Sequence, residues 1–205
     1  MFHDVRKSGI GRDILAAEVF GNNGSEPKFG TGQPIPEDKM ATAKTLEDLF
    51  LDTLKDIYYA EKQILKALPK MARAAQSEDG KKGFLQHRDE TQGHVERLEQ
   101  IFELIGKPAR GKTCEAIQGI IAEANEIIED FDGSIALDAG LISSAQAVEH
   151  YEMARYGTLI AWAKQLGLDE AAALLQQTLA EEEATDKKLT KLALSAANAK
   201  GAKAA

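Results

Sequence analysis

LLQQTLAEEEATDKKLTKLA, residues 174–193, spaces its apolar residues as a helix does. Leu175, Leu179, Leu189 and Ala193 recur at helical intervals and lie over one face. The middle of that face is acidic, with Glu182 and Asp186 where leucines belong. A carboxylate buried without a partner is costly even after relaxation. A helix that turns two of them toward its core needs something there to compensate them.

The same interruption recurs upstream. From Thr45 onward the period is helical throughout, and no segment of useful length alternates as a strand would. The first long helix is predicted over about 45–75, opened by Thr45 as N-cap with Asp48 three residues on. Its stripe is Phe50, Leu54, Ile57, Glu61, Ile64 and Leu68, and Pro69 marks a kink or a second cap. The second, over about 80–106, carries Phe84, His87, Thr91, His94, Leu98, Ile101 and Ile105 and stops at Gly106–Pro108. A shorter helix over about 113–130 holds Ile117, Ile120, Ile121, Ile127 and Ile128. The third long helix, about 134–167, carries Leu141, Ala145, Val148, Glu152, Tyr156, Leu159 and Ala163. The fourth, about 169–197, starts from Asp169 as expected N-cap and contains the opening stretch.

Four long amphipathic helices pack most simply as a four-helix bundle, so the expected fold class is all-α. The short helix then lies in the crossover between the second and third long helices. Residues 40–197 form this bundle, residues 1–39 a flexible N-terminal extension, and residues 198–205 a disordered tail. The extension contains GNNGSEPKFGTGQPIPEDK (21–39), with three of the chain's five prolines, and reads as loop. DILAAEVF (13–20) reads as a short helix or hairpin arm. Met40 as the natural start is an equally open reading.

Composition narrows the function. Of 205 residues, 43% are hydrophobic and 28% charged, as in ordinary globular proteins. The net charge of −8 argues against binding nucleic acid, which depends on neutralising phosphates. No apolar run is long enough to span a membrane, and the N-terminus lacks the apolar core of a signal peptide. The one cysteine, Cys114, excludes an internal disulfide. The expected location is the cytoplasm. GTGQ and GNNG lack the strand-to-helix context of a phosphate loop.

Each long helix breaks its stripe near the middle with a metal-ligand type of residue. They are Glu61 on the first, Glu90 and His94 on the second, Glu149 and Glu152 on the third, and Glu182 and Asp186 on the fourth. His87 lies a turn before Glu90 and is open as a ligand or as a core or outer partner. Glu183 with Asp186 has the spacing of three, but Glu183 falls off the stripe, so Glu182 is preferred. Two divalent ions would balance four or five carboxylates, and oxygen-rich ligation with one or two imidazoles suits Fe or Mn. Di-iron carboxylate bundles follow this plan, with one Glu from each of two helices and a Glu–His pair from each of the others.

AEKQ (60–63), HRDETQGHVERLEQ (87–100), VEHYEMARYGTL (148–159) and LAEEEATDKKLTKLA (179–193) resemble the YciE/YciF-like ferritin-like stress proteins. The resemblance spans about residues 44–195. It implies a ferritin-like bundle related to rubrerythrin, often a homodimer, with a dinuclear site. By position, Glu61 matches the lone first-helix Glu, and Glu149 and Glu152 match the third-helix Glu-x-x-Glu. Glu90/His94 and Glu182/Asp186 stand in for the two Glu-x-x-His pairs, spaced by four rather than three and with Asp186 in place of histidine.

The expected function is therefore stress-related redox chemistry at a dinuclear Fe or Mn site, with Zn as a substitute. The substrate is expected to be O2 or peroxide, with Fe(II) oxidation or peroxide removal as the reaction. A non-catalytic structural or stress-response protein with a vestigial or structural metal site is the alternative. An iron-storing cage is a third reading, although no segment marks a cage interface.

Overall fold

The structure, a computed structural model, describes residues 43–204. The readings of residues 1–39 lie outside the described residues. The chain from Lys44 onward forms one compact unit. It is all-helical, with α1 at Leu46–Ala74, α2 at Glu78–Leu104, α3 at Glu115–Asp130, α4 at Leu137–Gln165 and α5 at Asp169–Leu192.

Local chemistry sets the ends. The Thr45 hydroxyl accepts from Asp48 N, and the Asp48 carboxylate accepts from Thr45 N at 2.9 Å, a reciprocal cap of α1. Ser77 caps α2, so that helix starts earlier than the pattern predicts. Asp138 of α4 accepts from Gln76 N at 2.7 Å and Ser77 N at 2.9 Å, tying the α1–α2 turn to α4. Gly106, Gly133 and Gly167 follow α2, α3 and α4 with φ of 65, 70 and 71°, a region that side chains with a Cβ enter at a cost.

Three expectations are corrected. Asp169 is the first helical residue of α5 and not its cap, which is Leu168 with no side-chain hydrogen bond. Helix α1 runs through Pro69 as a single element, so Pro69 is not a second cap. A disordered tail was expected over 198–205, but helical backbone continues through a π-helical segment, Ala193–Ala197, to Ala204. A Cβ on Gly201 would lie 3.4 Å from Ala136 Cα, so Gly201 lies against the start of α4.

Helix α1 packs on α2 and α4, and α5 packs on α4 and α2. The four long helices thus form a closed ring of neighbours. Helix α3 leans on α4 and α1. The segment before α3 passes so close to α1 that a Cβ on Gly111 would lie 3.1 Å from Tyr59 Cβ. Inside the ring the stripes meet, and Leu54, Ile57, Leu98, Ile101, Leu141, Leu159 and Leu175 are essentially inaccessible. Each such side chain contributes about 1.5–3 kcal/mol through burial. Among the described residues no helix is long and apolar enough to cross a membrane.

Candidate metal centre

The core is not apolar at its middle. Glu61, Glu149 and Glu182 are 0% exposed, and Glu152 and His94 are 1% exposed. His87 is buried with them. They come from all four long helices, because each occupies a core position in its own stripe. On α2 the two histidines are seven residues apart, two turns along one face.

These side chains form two groups. In one, His87, Glu149, Glu152 and Glu182 each offer a ligand atom within 4.8 Å of the others. In the other, Glu61, His94 and Glu182 do the same. Glu182 belongs to both. His94 Nδ1 lies 2.9 Å from Glu182 Oε1 and 3.4 Å from Glu61 Oε1. His87 Nε2 lies 3.2 Å from Glu149 Oε1.

An outer layer orients one group. His94 Nε2 is 3.0 Å from Glu181 Oε2, and Arg97 Nη1 donates to the same oxygen at 3.1 Å. Arg97 also donates to the Thr178 hydroxyl. The Tyr156 hydroxyl donates to Glu61 Oε1. Glu181 sits in the run Glu181–Glu183 and looks like surface charge in the sequence. Its signal is Arg97, one turn beyond His94.

Two expected ligands stand apart. Asp186 accepts from Gln146 Nε2 at 3.0 Å and lies 3.3 Å from His150, whose side chain is 66% exposed. The inward place after Glu182 belongs to Thr185, three residues on and buried. Glu90 lies at the rim, with Oε2 3.6 Å from His87 Nδ1. Its Oε1 accepts from Gln86 and lies 3.4 Å from Lys188 Nζ. Glu183 is exposed and faces Lys187. His87, left open in the sequence, is inside.

The electrostatics follow from burial. Burial opposes charge on both imidazoles, but the carboxylates beside them prevail. Glu149 and Glu90 push His87 up to about 10, and Glu61 and Glu182 push His94 up to about 11. Burial, reinforced by Glu61 and Glu182, holds the Glu152 carboxyl well above the usual carboxylate range. Burial also raises Glu182, against the pull of His94. His87 holds Glu90 down to about 2. In the chain by itself, charge on the two histidines offsets part of the carboxylate charge, and burial favours the protonated form of Glu152 and Glu182.

Protons do not satisfy the geometry. Among the described residues, ten buried side-chain N and O atoms have no hydrogen-bond partner, and all belong to Glu61, His87, His94, Glu149, Glu152 and Glu182. Buried polar atoms are nearly always paired, so such a concentration requires a cause.

Residues 45–202 match the family described as Domain of unknown function (DUF892). Protein YciF of Escherichia coli is 48% identical over 158 residues, which is 77% of this chain and 95% of that protein. The crystal structure of YciF, described as a stress protein, superposes with a TM-score of 0.73 over 76% of this chain and 99% of that one. YcfI of Rhodopseudomonas palustris, whose description suggests a structural role, is 49% identical with a TM-score of 0.71, covering 73% of this chain and 95% of that one. A protein of Xanthomonas campestris, 21% identical with a TM-score of 0.58 over 76% of this chain and 95% of that one, shares the fold.

Proposed function

The chain belongs to the DUF892 family, and from that premise we propose that it is a ferritin-like dinuclear metal protein acting in stress-related redox chemistry. The observation that carries this reading is the convergence of ten unpartnered polar atoms from four helices on one buried space. The order of the helices and the ring of neighbours α1–α2–α5–α4 support a four-helix bundle with α3 in the crossover.

The donor set fits two divalent cations. Four carboxylates, ionised, offset two doubly charged ions, and two neutral imidazoles complete a donor set suited to Fe or Mn, with Zn as a substitute. His87, Glu149 and Glu152 would hold one ion, Glu61 and His94 the other, and Glu182 both. When bound, Fe or Mn would supply Lewis acidity and one-electron redox capacity toward O2 or peroxide.

The chain's own residues prepare this. Tyr156 fixes the Glu61 carboxylate by donating to it. Glu181 engages His94 Nε2, so Nδ1 is the nitrogen that faces inward. Both histidines and Glu152 must release their protons for the full set of donors to form.

The second reading is a non-catalytic structural or stress-response protein with a structural ion. It is favoured by the role suggested for YcfI, which is 49% identical. A homodimer is proposed for either reading, and a native mass of a single chain would remove it.

Elemental analysis of chelator-free protein, beside a Glu61→Ala/Glu152→Ala double variant, tests the centre. About two Fe or Mn per chain, lost in the variant, is the expected result. No metal after anaerobic addition of Fe(II) or Mn(II) would overturn it. Turnover of Fe(II) with O2 or peroxide separates the redox reading from the structural one.

A further inference from the structure

Beside the His87 side of the centre, a cavity of about 330 Å³ opens between α2, α4 and α5. His87 and Glu149 form part of its wall, so it reaches the candidate ligands. Phe84, Ala145, Leu189 and Leu192 make much of the rest apolar. O2 or peroxide needs little more room than a water molecule, about 30 Å³. Pockets for organic ligands begin at about 300 Å³. The cavity is of the second size.

Gly83 carries an independent argument. It lies inside α2, where glycine weakens a helix relative to alanine, and it lines the cavity. Its φ is not positive, and among the described residues nothing lies within 4 Å of a Cβ built on it. Neither backbone nor packing requires glycine there. Its consequence is an open wall.

Charge narrows the class. Lys188 and Lys191 line the cavity and are exposed. Of the three acidic groups of the wall, Glu149 lies at the inner end, 3.2 Å from His87 Nε2, and the other two are offset. Glu90 is engaged by Gln86, His87 and Lys188, and Asp79 lies in the first turn of α2, where the helix N-terminus favours negative charge.

We propose that this cavity binds a small organic anion with an apolar body. The body lies on Phe84, Ala145, Leu189 and Leu192, and the anionic group meets Lys191, with Lys188, shared with Glu90, beside it. The inner end then faces His87 and Glu149. Its relevance as a substrate or effector site rests on the dinuclear reading, while binding itself does not.

The test is calorimetric titration of the metal-free full chain with octanoate, octanol and octylammonium. Octanoate is expected to bind and octylammonium not to bind. Gly83→Leu, which fills the cavity, should weaken octanoate at least about tenfold, while Gly83→Ala should bind it as the original chain does. Lys188→Gln/Lys191→Gln should weaken it by about threefold to tenfold, with octanol unchanged. Circular dichroism and thermal unfolding confirm that each variant folds. No octanoate binding, or equal binding by folded Gly83→Leu, would overturn the site. Octylammonium binding as tightly as octanoate would overturn the anionic class. Metal counts on the same samples keep the readings apart. Two ions without octanoate binding remove only the pocket, and octanoate binding without ions removes only the dinuclear centre.

Discussion

The two halves of the buried cluster are held differently. The Glu61–His94 half is braced from outside, with Tyr156 on Glu61 and the Glu181–Arg97 pair behind His94. In the other half, both oxygens of Glu149 and of Glu152 and both nitrogens of His87 lack hydrogen-bond partners. That half also borders the open cavity. A donor braced on its far side keeps its orientation whether or not an ion is present. A donor without such support is free to follow whatever arrives beside it. The contrast gives the proposed centre a fixed half and an adaptable half, joined at Glu182.

The largest test of this division acts on the joint. Glu182→Ala removes the one carboxylate common to both groups, and metal content should fall from about two ions toward none. Loss of a single ion, read by elemental analysis, would show that the halves do not depend on a shared ligand.

The next strikes the brace alone. Arg97→Met leaves every proposed ligand in place but frees Glu181 and, through it, His94. Affinity for one ion should fall about 10–100-fold while the other is unchanged. Stepwise titration with Mn(II) separates the two sites, and equal weakening of both would break the comparison.

Proton linkage sharpens it further. Both histidines have folded-state values above the ordinary 6.5, at about 10 for His87 and about 11 for His94. Their contribution to the metal-free fold is full below the unfolded value and is lost as pH rises through about 10 to 11. The thermal midpoint of metal-free protein should therefore decline over the alkaline range. Metal competes with those same protons, so uptake should tighten as pH rises and should release protons into a weak buffer. Metal binding with no pH dependence would place the ions elsewhere.

The smallest effect is expected at Asp186. Asp186→Ala should leave the metal count unchanged and shift unfolding by about 0.5 kcal/mol or less, as measured in urea. If this variant loses an ion, the centre extends beyond the six inward residues.

The stripes of α1, α2 and α4 were legible residue by residue, save Ile105, which caps α2 and is half-buried. Phe50 through Leu68, Phe84 through Ile101 and Leu141 through Ala163 are the residues that the ring buries. Over seven residues a helix returns nearly to the same face, so an interruption at Glu61 or Glu152 has apolar neighbours above and below that declare its direction, and His94 has Leu98 and Ile101 after it. The stripe of α5 was less certain. Its period of 3.6 allows either Thr185 or Asp186 to follow Glu182, and the neighbouring charge run hides the phase. Contact with α4 settles it, because Gln146 and His150 take Asp186 on the flank. Glu90 was ambiguous for the same reason, lying one position from the face that carries His87, Thr91 and His94.

The sequence by itself therefore determined an all-α chain with four long amphipathic helices and polar breaks at their middles. Periodicity, caps and helix stops are local properties, and each helix announces its own inward face. Only the tertiary structure decided which breaks meet, that His87 joins them, that Glu181 and Arg97 brace His94, and that a cavity opens beside Gly83. Those facts depend on the axial offset and rotation of one helix against another. These offsets are set by how side chains from separate helices interlock, and no single helix encodes that in its own spacing.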